Sequence, residues 1–401
     1  MPSPNYLLTG LSPWSMLYCA ILSTVYIIVG SITFDLIHWK IHQSGRSSNP
    51  LLRYLSRAHI AHHQYFDRRL TFNPAFSLRN NLTNAPLELL SQITGASLSW
   101  QFCRVIGFRP SLVRYEDICL TVTFLIVRAG VVAFNEGRDS NHIAYTQLPK
   151  DPHSVIVGPE YHALHHIDPQ GYFGSMVRFV DWVFGTASTL HGRNILITGS
   201  SGALGQALLE ELKQEKGTSV QTLHFDQDWT YDSYNRLEKA LQTTDILILA
   251  HGSKTTNAFK ANCESARIMI ETFMRVREPS SSLLRPEIWY IGSEAELHGA
   301  WTADMEEYTA SKRAFASYAR EYYDDETFLY RHVVPAAFSS RMGWAVVSPK
   351  WVAKVALWLI RRGARYVPVT YTGIAVLNYF RFFFCVKPRR EFDRGNSGVK
   401  C

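Results

Sequence analysis

Three long apolar stretches mark the first half of the chain, at residues 15–37, 86–106 and 118–134. The first holds one charge, Asp35, near its end; the second is less apolar, with Glu88 and Arg104 near its ends; the third is apolar apart from Arg128. At 1.5 Å rise per residue the first predicts a helix long enough to cross ~30 Å of hydrocarbon. For the middle stretch a buried or interfacial helix is the alternative. A short polar link, 107–117, makes the last two a hairpin. Past residue 191 the pattern changes. Short buried-strand runs at 194–198, 243–252 and 288–293, two of them running into glycine, alternate with helical runs. That alternation predicts an α/β domain with a parallel sheet. A final apolar, aromatic run at 371–385 is followed by Lys387, Arg389, Arg390 and Arg394. It is short for a span and reads as an interfacial anchor, with a docked last helix as the alternative.

Composition fits that division. The 401 residues suit two domains, which we bound at 1–191 (membrane α-helical) and 192–365 (α/β), with a tail at 366–401. With 46% apolar and 19% charged residues the chain is neither disordered nor collagen-like. The net charge of +7 is small for the length, and no Lys/Arg block suggests a nucleic-acid partner. Six cysteines without paired spacing fit a reducing compartment. No basic region opens the chain, which argues against a cleaved signal peptide. Between the first two stretches Lys40, Arg46, Arg53, Arg57, Arg68, Arg69 and Arg79 face a single acid, Asp67. The positive-inside rule puts this segment in the cytosol, and a hairpin crossing twice returns residues 136–401 to the same side. The expected setting is an integral membrane protein with its sites on the cytosolic face, at the cytoplasmic membrane of a bacterium or the endoplasmic reticulum of a eukaryote. Arg128 either snorkels or lines a polar cavity.

Most of the 15 histidines fall in the first half, in patterned boxes. His38 and His42 form HxxxH; His59, His62 and His63 form HxxHH; His162, His165 and His166 form HxxHH again. On a helix, residues three and four apart share a face, so each box presents its imidazoles together. The first box begins where the first span ends, and the crossing count brings the others to the same side. Imidazole suits Zn, Cu, Fe and Ni, and eight rings are too many for one ion. Scattered core or surface histidines are the bland alternative.

The boxes resemble those of the fatty acid hydroxylase/sterol desaturase family of membrane di-iron enzymes, over roughly residues 15–190. Arg57 and Gln64 beside the second box match, as do Pro159 and Glu160 before the third and Asp181 to Thr186 after it. The family supplies a further histidine before the last box. His142 is the candidate here and His153 a weaker one. The resemblance implies two Fe ions, O2 as co-substrate, a cytochrome b5- or ferredoxin-type electron donor, and a lipid substrate from the bilayer. Asp35 and Asp139, each three residues before a histidine, are candidate acceptors for a ring N–H. The chain departs from the family in having room for one span before the first box.

In the second half, the strand-like 194–198 ends in Thr198 and runs into Gly199-Ser200-Ser201-Gly202-Ala203-Leu204-Gly205 and then a helical run. A strand, a glycine turn and a helix start make a dinucleotide cradle, where the backbone approaches a pyrophosphate. Ala250 and Gly252 end the next strand. Tyr308 and Lys312 stand one helical turn apart, where a cation stabilises a phenolate. Such a tyrosine is a general acid/base for a carbinol or carbonyl, with Ser293 to hold the substrate oxygen.

This ensemble resembles a short-chain dehydrogenase/reductase, a Rossmann-like α/β fold, over about 193–365. The resemblance implies Tyr308 as acid/base, Lys312 as activator and ribose binder, Ser293 as substrate orienter and Asn262 as fourth member, with NAD or NADP as cofactor. Asp226 is placed to meet the adenosine ribose or, on the next strand, adenine; the acid leans the choice toward NAD. The short interval between Gly205 and Thr243 implies one missing strand–helix unit.

Together these features predict a bifunctional membrane oxidoreductase: di-iron hydroxylation or desaturation of a sterol, fatty acyl or related lipid, coupled to NAD(P)-dependent alcohol/carbonyl redox. The alternatives are fatty-aldehyde processing similar to the plant wax-alkane-forming proteins, and an oxygenase regulated by a non-catalytic nucleotide-binding half.

Overall fold

The computed structural model describes residues 13–106, 113–254, 257–278 and 283–389. Most of the 107–117 link and the residues Arg390, Arg394 and Cys401 lie outside them. The chain divides into two compact units, Met1–Ala187 and Ser188–Cys401.

The first unit is helical. Its elements are α1 (Pro13–His42), α2 (Pro50–Tyr65), α3 (Ser77–Val105), α4 (Tyr115–Phe134), α5 (Pro159–Ile167) and α6 (Phe179–Phe184). Two of them, α1 and α4, are long and apolar enough to cross a bilayer. Helix α3 begins earlier than its apolar stretch and runs through Pro86. Its modest hydropathy has a physical reason: it buries Asn80, Ser91 and Gln92 and exposes Leu78, Leu82, Leu90 and Leu98. Helix α1 likewise buries Ser31, Asp35 and His38 while Met16, Leu17 and Ile21 face outward. The two helices meet at glycines. A Cβ on Gly30 would stand 2.6 Å from the Gln92 carbonyl oxygen, and one on Gly95 2.3 Å from Thr33 Oγ1. Larger residues there would force the helices apart. Helix α2 starts where Asn49 Oδ1 accepts the Leu51 and Leu52 N–H groups at 2.9 and 3.2 Å.

The second unit is a Rossmann-like α/β domain with a parallel sheet. It comprises β1 (Asn194–Thr198), α7 (Ala203–Leu212), β2 (Ser219–Leu223), α8 (Glu238–Gln242), β3 (Ile246–Leu249), α9 (Ser265–Val276), β4 (Glu287–Ile291), α10 (Ala295–His298), α11 (Glu306–Asp324), β5 (Leu329–Pro335), α12 (Pro349–Arg361), β6 (Tyr366–Val369) and α13 (Ile374–Phe380). The strand order is β2-β1-β3-β4-β5-β6, with every pair parallel. The common doubly wound order places a further strand outside the second. Here β2 is the edge, and between it and α8 the described chain holds only bends, bridges and the 3-10 turn Asn235–Leu237. Ile195, Ile197, Ile246 and Ile248 pack one face against α7 and α12. Leu196, Leu247 and Leu249 pack the other against α9 and α11.

The boundary expected at residue 365 is corrected. The sheet continues through β6, and α13 with the π turn Arg381–Cys385 buries Ala375, Asn378 and Phe382 against the same core. The tail therefore begins as part of the α/β domain. Its other face leaves Val376, Leu377, Phe380 and Phe384 exposed. The run reads as an interfacial anchor because each apolar residue counts equally in a sequence, whereas only every third or fourth one docks.

Candidate functional sites

The histidine boxes end on three helices: His38 and His42 close α1, His59, His62 and His63 close α2, and α5 carries His162, His165 and His166. His142 comes from the loop after α4. The nine rings gather in two groups, His38, His42, His59, His63 and His165, and His62, His142, His162 and His166. Within each group the candidate ligand atoms lie within 4.8 Å of one another. His153 stands apart, paired with Asp151 at 3.4 Å.

The hydrogen bonds behind the rings decide their chemistry. His59 Nδ1 meets Asn84 Oδ1 at 2.8 Å, His62 Nδ1 meets Asn80 Oδ1 at 3.1 Å, and His142 Nδ1 meets Asp139 Oδ1 at 2.8 Å. His165 and His166 turn Nδ1 to the carbonyls of Gly171 and Phe66 at 2.8 and 3.0 Å. Each of these acceptors fixes the Nδ1–H tautomer, so Nε2 carries a lone pair. Yet the Nε2 atoms face one another: His62 and His142 at 3.2 Å, His162 and His142 at 3.1 Å, His38 and His59 at 2.9 Å, His38 and His42 at 3.1 Å. Ligands about 2.0–2.1 Å from a shared ion are separated by roughly 2.9–3.4 Å, so this spacing fits a cation between them. Burial, reinforced by neighbouring imidazoles, holds His62, His63, His162 and His166 well below the ordinary histidine range. Burial brings His59 to about 4 and His165 to about 3. Neutral rings with inward lone pairs have the chemistry that a metal ligand needs.

Of the two proposed acid partners, Asp139 serves His142, whereas Asp35 does not serve His38. Asp35 Oδ1 accepts the Ser175 N–H at 3.1 Å, and His38 Nδ1 finds no partner. A cavity of about 290 Å³ borders both groups and is lined by Glu88, Gln92, Arg128 and Asp139 among histidines, small polar residues and apolar side chains. Arg128 lines this cavity rather than snorkelling; it bonds Glu88 at 2.9 Å and Asp139 at 3.5 Å.

In the second unit the glycine turn joins β1 to α7. Gly199 sits at φ +70, and a Cβ there would lie 2.6 Å from the Ala250 carbonyl oxygen. A Cβ on Gly205 would strike the Gly199 oxygen at 2.1 Å. The turn is a cradle that side chains would fill. Ser200 Oγ is buried there without a partner, Gly202 caps α7, and the exposed Ser201 gives its carbonyl to Arg341 Nη2 at 3.0 Å. Leu204 belongs to the core, so only its backbone is available to a ligand. Thr198 Oγ1 bonds His251 Nδ1 at 2.6 Å, and His251 Nε2 bonds Ser265 Oγ at 2.9 Å. His251 is thus a strut between the end of β1 and the start of α9. Asp226 is exposed just beyond β2, the neighbour of β1, at φ +67.

The tyrosine site forms where β4 ends. Tyr308 on α11 hydrogen-bonds Ser293, which partly offsets the upward push of burial on its phenol. Lys312, one turn on, does not bond Tyr308. Its Nζ is 5.9 Å from the Tyr308 ring centre and donates to Ile291 O at 2.7 Å and Tyr290 Oη at 3.2 Å. Burial lowers Lys312 to about 8, with Glu296 opposing. Asn262 lies in the π turn Lys260–Glu264. Its side chain is committed to Ser253 at 2.7 Å and Ser311 at 3.0 Å, so only its carbonyl, which accepts Tyr290 Oη at 2.7 Å, joins the lysine network. Sequence reasoning missed Tyr290 and Glu296. The carboxylate of Glu296 accepts the Ser293 N–H at 3.1 Å and His332 Nε2 at 3.0 Å. An acid three residues past Ser293 was the available signal.

No protein-family description matches the chain. A monoglucosyldiacylglycerol epimerase of Synechocystis sp. is 27% identical over 261 residues, covering 57% of this chain and 63% of that protein. The chain thus spans under two thirds of that curated relative. Among solved structures, the Pseudomonas aeruginosa RhlG/NADP active-site complex aligns with 19% identity and a TM-score of 0.39, covering 47% of this chain and 98% of that one. A Sphingobium yanoikuyae short-chain dehydrogenase with NADPH aligns with 16% identity and a TM-score of 0.37, covering 49% and 97%.

Proposed function

We propose that the protein is a membrane-bound lipid oxidoreductase with two centres: a two-iron oxygenase site held by the nine histidines and an NAD(P)-dependent alcohol/carbonyl site at Tyr308. The observation that carries this reading is the pair His62 and His142, whose protons are both directed away and whose Nε2 lone pairs meet at 3.2 Å. Two lone pairs at that distance repel unless a cation lies between them. Two bound irons would supply oxidation of a lipid C–H bond by O2, with two electrons delivered singly by a cytochrome b5- or ferredoxin-type donor and two protons from water, giving an alcohol and water. The chain's part is to hold the rings neutral and to deliver the lipid from the bilayer, which suits helices that expose leucine and bury serine and asparagine. At the second centre a bound NAD(P) would supply the hydride acceptor, Tyr308 would take the proton of the carbinol oxygen, and Ser293 would orient that oxygen. The cradle would hold the diphosphate at Gly199 to Gly205 and the ribose near Asp226, with a lean toward NAD.

A second reading comes from the epimerase relative. Inverting a carbinol needs only its oxidation at the Tyr308 site and reduction from the other face. The deciding experiment is metal analysis of the purified protein in mild detergent, with Mössbauer spectroscopy. About two coupled irons per chain support the first reading. Zinc alone, or no metal after reconstitution with iron, overturns it.

A further inference from the structure

We propose that the cavity beside the histidines receives the neutral, hydroxyl-rich headgroup of a membrane lipid. The carbon brought to the histidines then lies at the headgroup end rather than in mid-chain. The proposal rests on the oxygenase reading of the same site and adds the substrate class.

The lining carries the argument. A pocket for an acyl chain needs only apolar walls. This one has Phe34, Phe124 and Phe173, but also Glu88, Gln92 and Arg128. Arg128 sits within α4, one of the two apolar helices, and Glu88 within α3. Charges at such depth are costly and are kept where they face a polar cavity or partner. Glu88 and Arg128 keep 31% and 37% of their side-chain surface open, so neither is sealed into the ion pair they form. Gln92 Nε2 and Arg128 Nη1 both donate to Glu88 Oε1 at 2.9 Å, which leaves Oε2 for an occupant. A methylene chain there would strip water from the carboxylate and the guanidinium and return no hydrogen bonds. Hydroxyls satisfy both, donating to Glu88 and accepting from Arg128. Charge selects among polar headgroups. Glu88 and Asp139 both contact the single guanidinium of Arg128, so its charge is already matched at this end of the cavity rather than left for a phosphate.

The test uses the full chain in mild detergent and native mass spectrometry of lipid binding, with iron content measured on the same samples. The probes are monohexosyl diacylglycerol, diacylglycerol and phosphatidylglycerol with identical chains, and methyl glucoside. The expected result is at least about tenfold tighter binding of the hexosyl lipid than of the other two lipids. Glu88→Gln and Gln92→Leu should each remove most of that preference with iron content unchanged. Equal affinities, or a preference that survives both variants, overturn the proposal. Methyl glucoside binding as tightly as the hexosyl lipid overturns the lipid part and points to a free sugar. A hexosyl preference in a protein that takes up no iron upholds the headgroup and removes the oxygenase reading; iron without the preference does the reverse.

Discussion

At the residue scale the two centres depend on what stands behind the reacting groups. Asp139 is the clearest case. Burial would raise its carboxyl, yet the His142 hydrogen bond and the nearby imidazoles hold it below the usual range. Replacing it (Asp139→Ala) frees the His142 ring and should weaken metal binding by the His62 group about 10–100-fold. Chelator competition reads this, and an unchanged affinity refutes the role. In the second unit, Tyr308→Phe removes the acid/base and should lower nucleotide-dependent turnover by at least ~100-fold with bound metal unaffected. Turnover and products that stay the same would favour the regulatory-domain alternative. Lys312 makes a prediction with a definite sign. In the folded chain it loses its proton near pH 8, whereas a free lysine does so near about 10.4. Between those values the unfolded chain binds more protons, so this group's contribution to stability rises with pH. Melting curves from pH 7 to 10 should show that increment in the wild type and lack it in Lys312→Met. Parallel curves would contradict it.

At the scale of elements, legibility followed whether function needed a regular pattern. The three boxes were readable because helical spacing puts the histidines of each box on one face of its helix, and these faces converge. The glycine turn was readable because only glycine tolerates contacts such as that between Gly205 and the Gly199 oxygen. Asn262 was read as a catalytic side chain, but it is held by Ser253 and Ser311, a tertiary fact with no local signature. Asp35 failed for the same reason: three residues before His38 is the right spacing, yet Ser175, distant in sequence, claims its oxygen. Helix α13 was hidden by its own composition, since an aromatic run looks alike whether it anchors or docks. Its docking is testable. Phe382→Ala removes a fully buried ring and should cost about 3–5 kcal/mol, seen as a lower melting temperature of the second unit. An unchanged transition would restore the interfacial-anchor reading.

At the scale of the whole molecule, the division in two was legible because the chain changes its hydrophobic period, and the missing strand–helix unit because the interval before Thr243 is short. The edge at β2 bears the second out. The docking of the tail also bears on how the protein is made. Asn378 Nδ2 donates to Glu296 at 3.3 Å, and the Ala375 N–H donates to Glu294 at 3.0 Å. The loop that carries Ser293 is therefore incomplete until residues near Phe382 have left the ribosome. The nine histidines are all in place by His166. At about 5–20 residues per second the interval between these two points is roughly 10–40 s. The two centres are born in sequence: the histidine cluster can close while the Tyr308 site is still being translated.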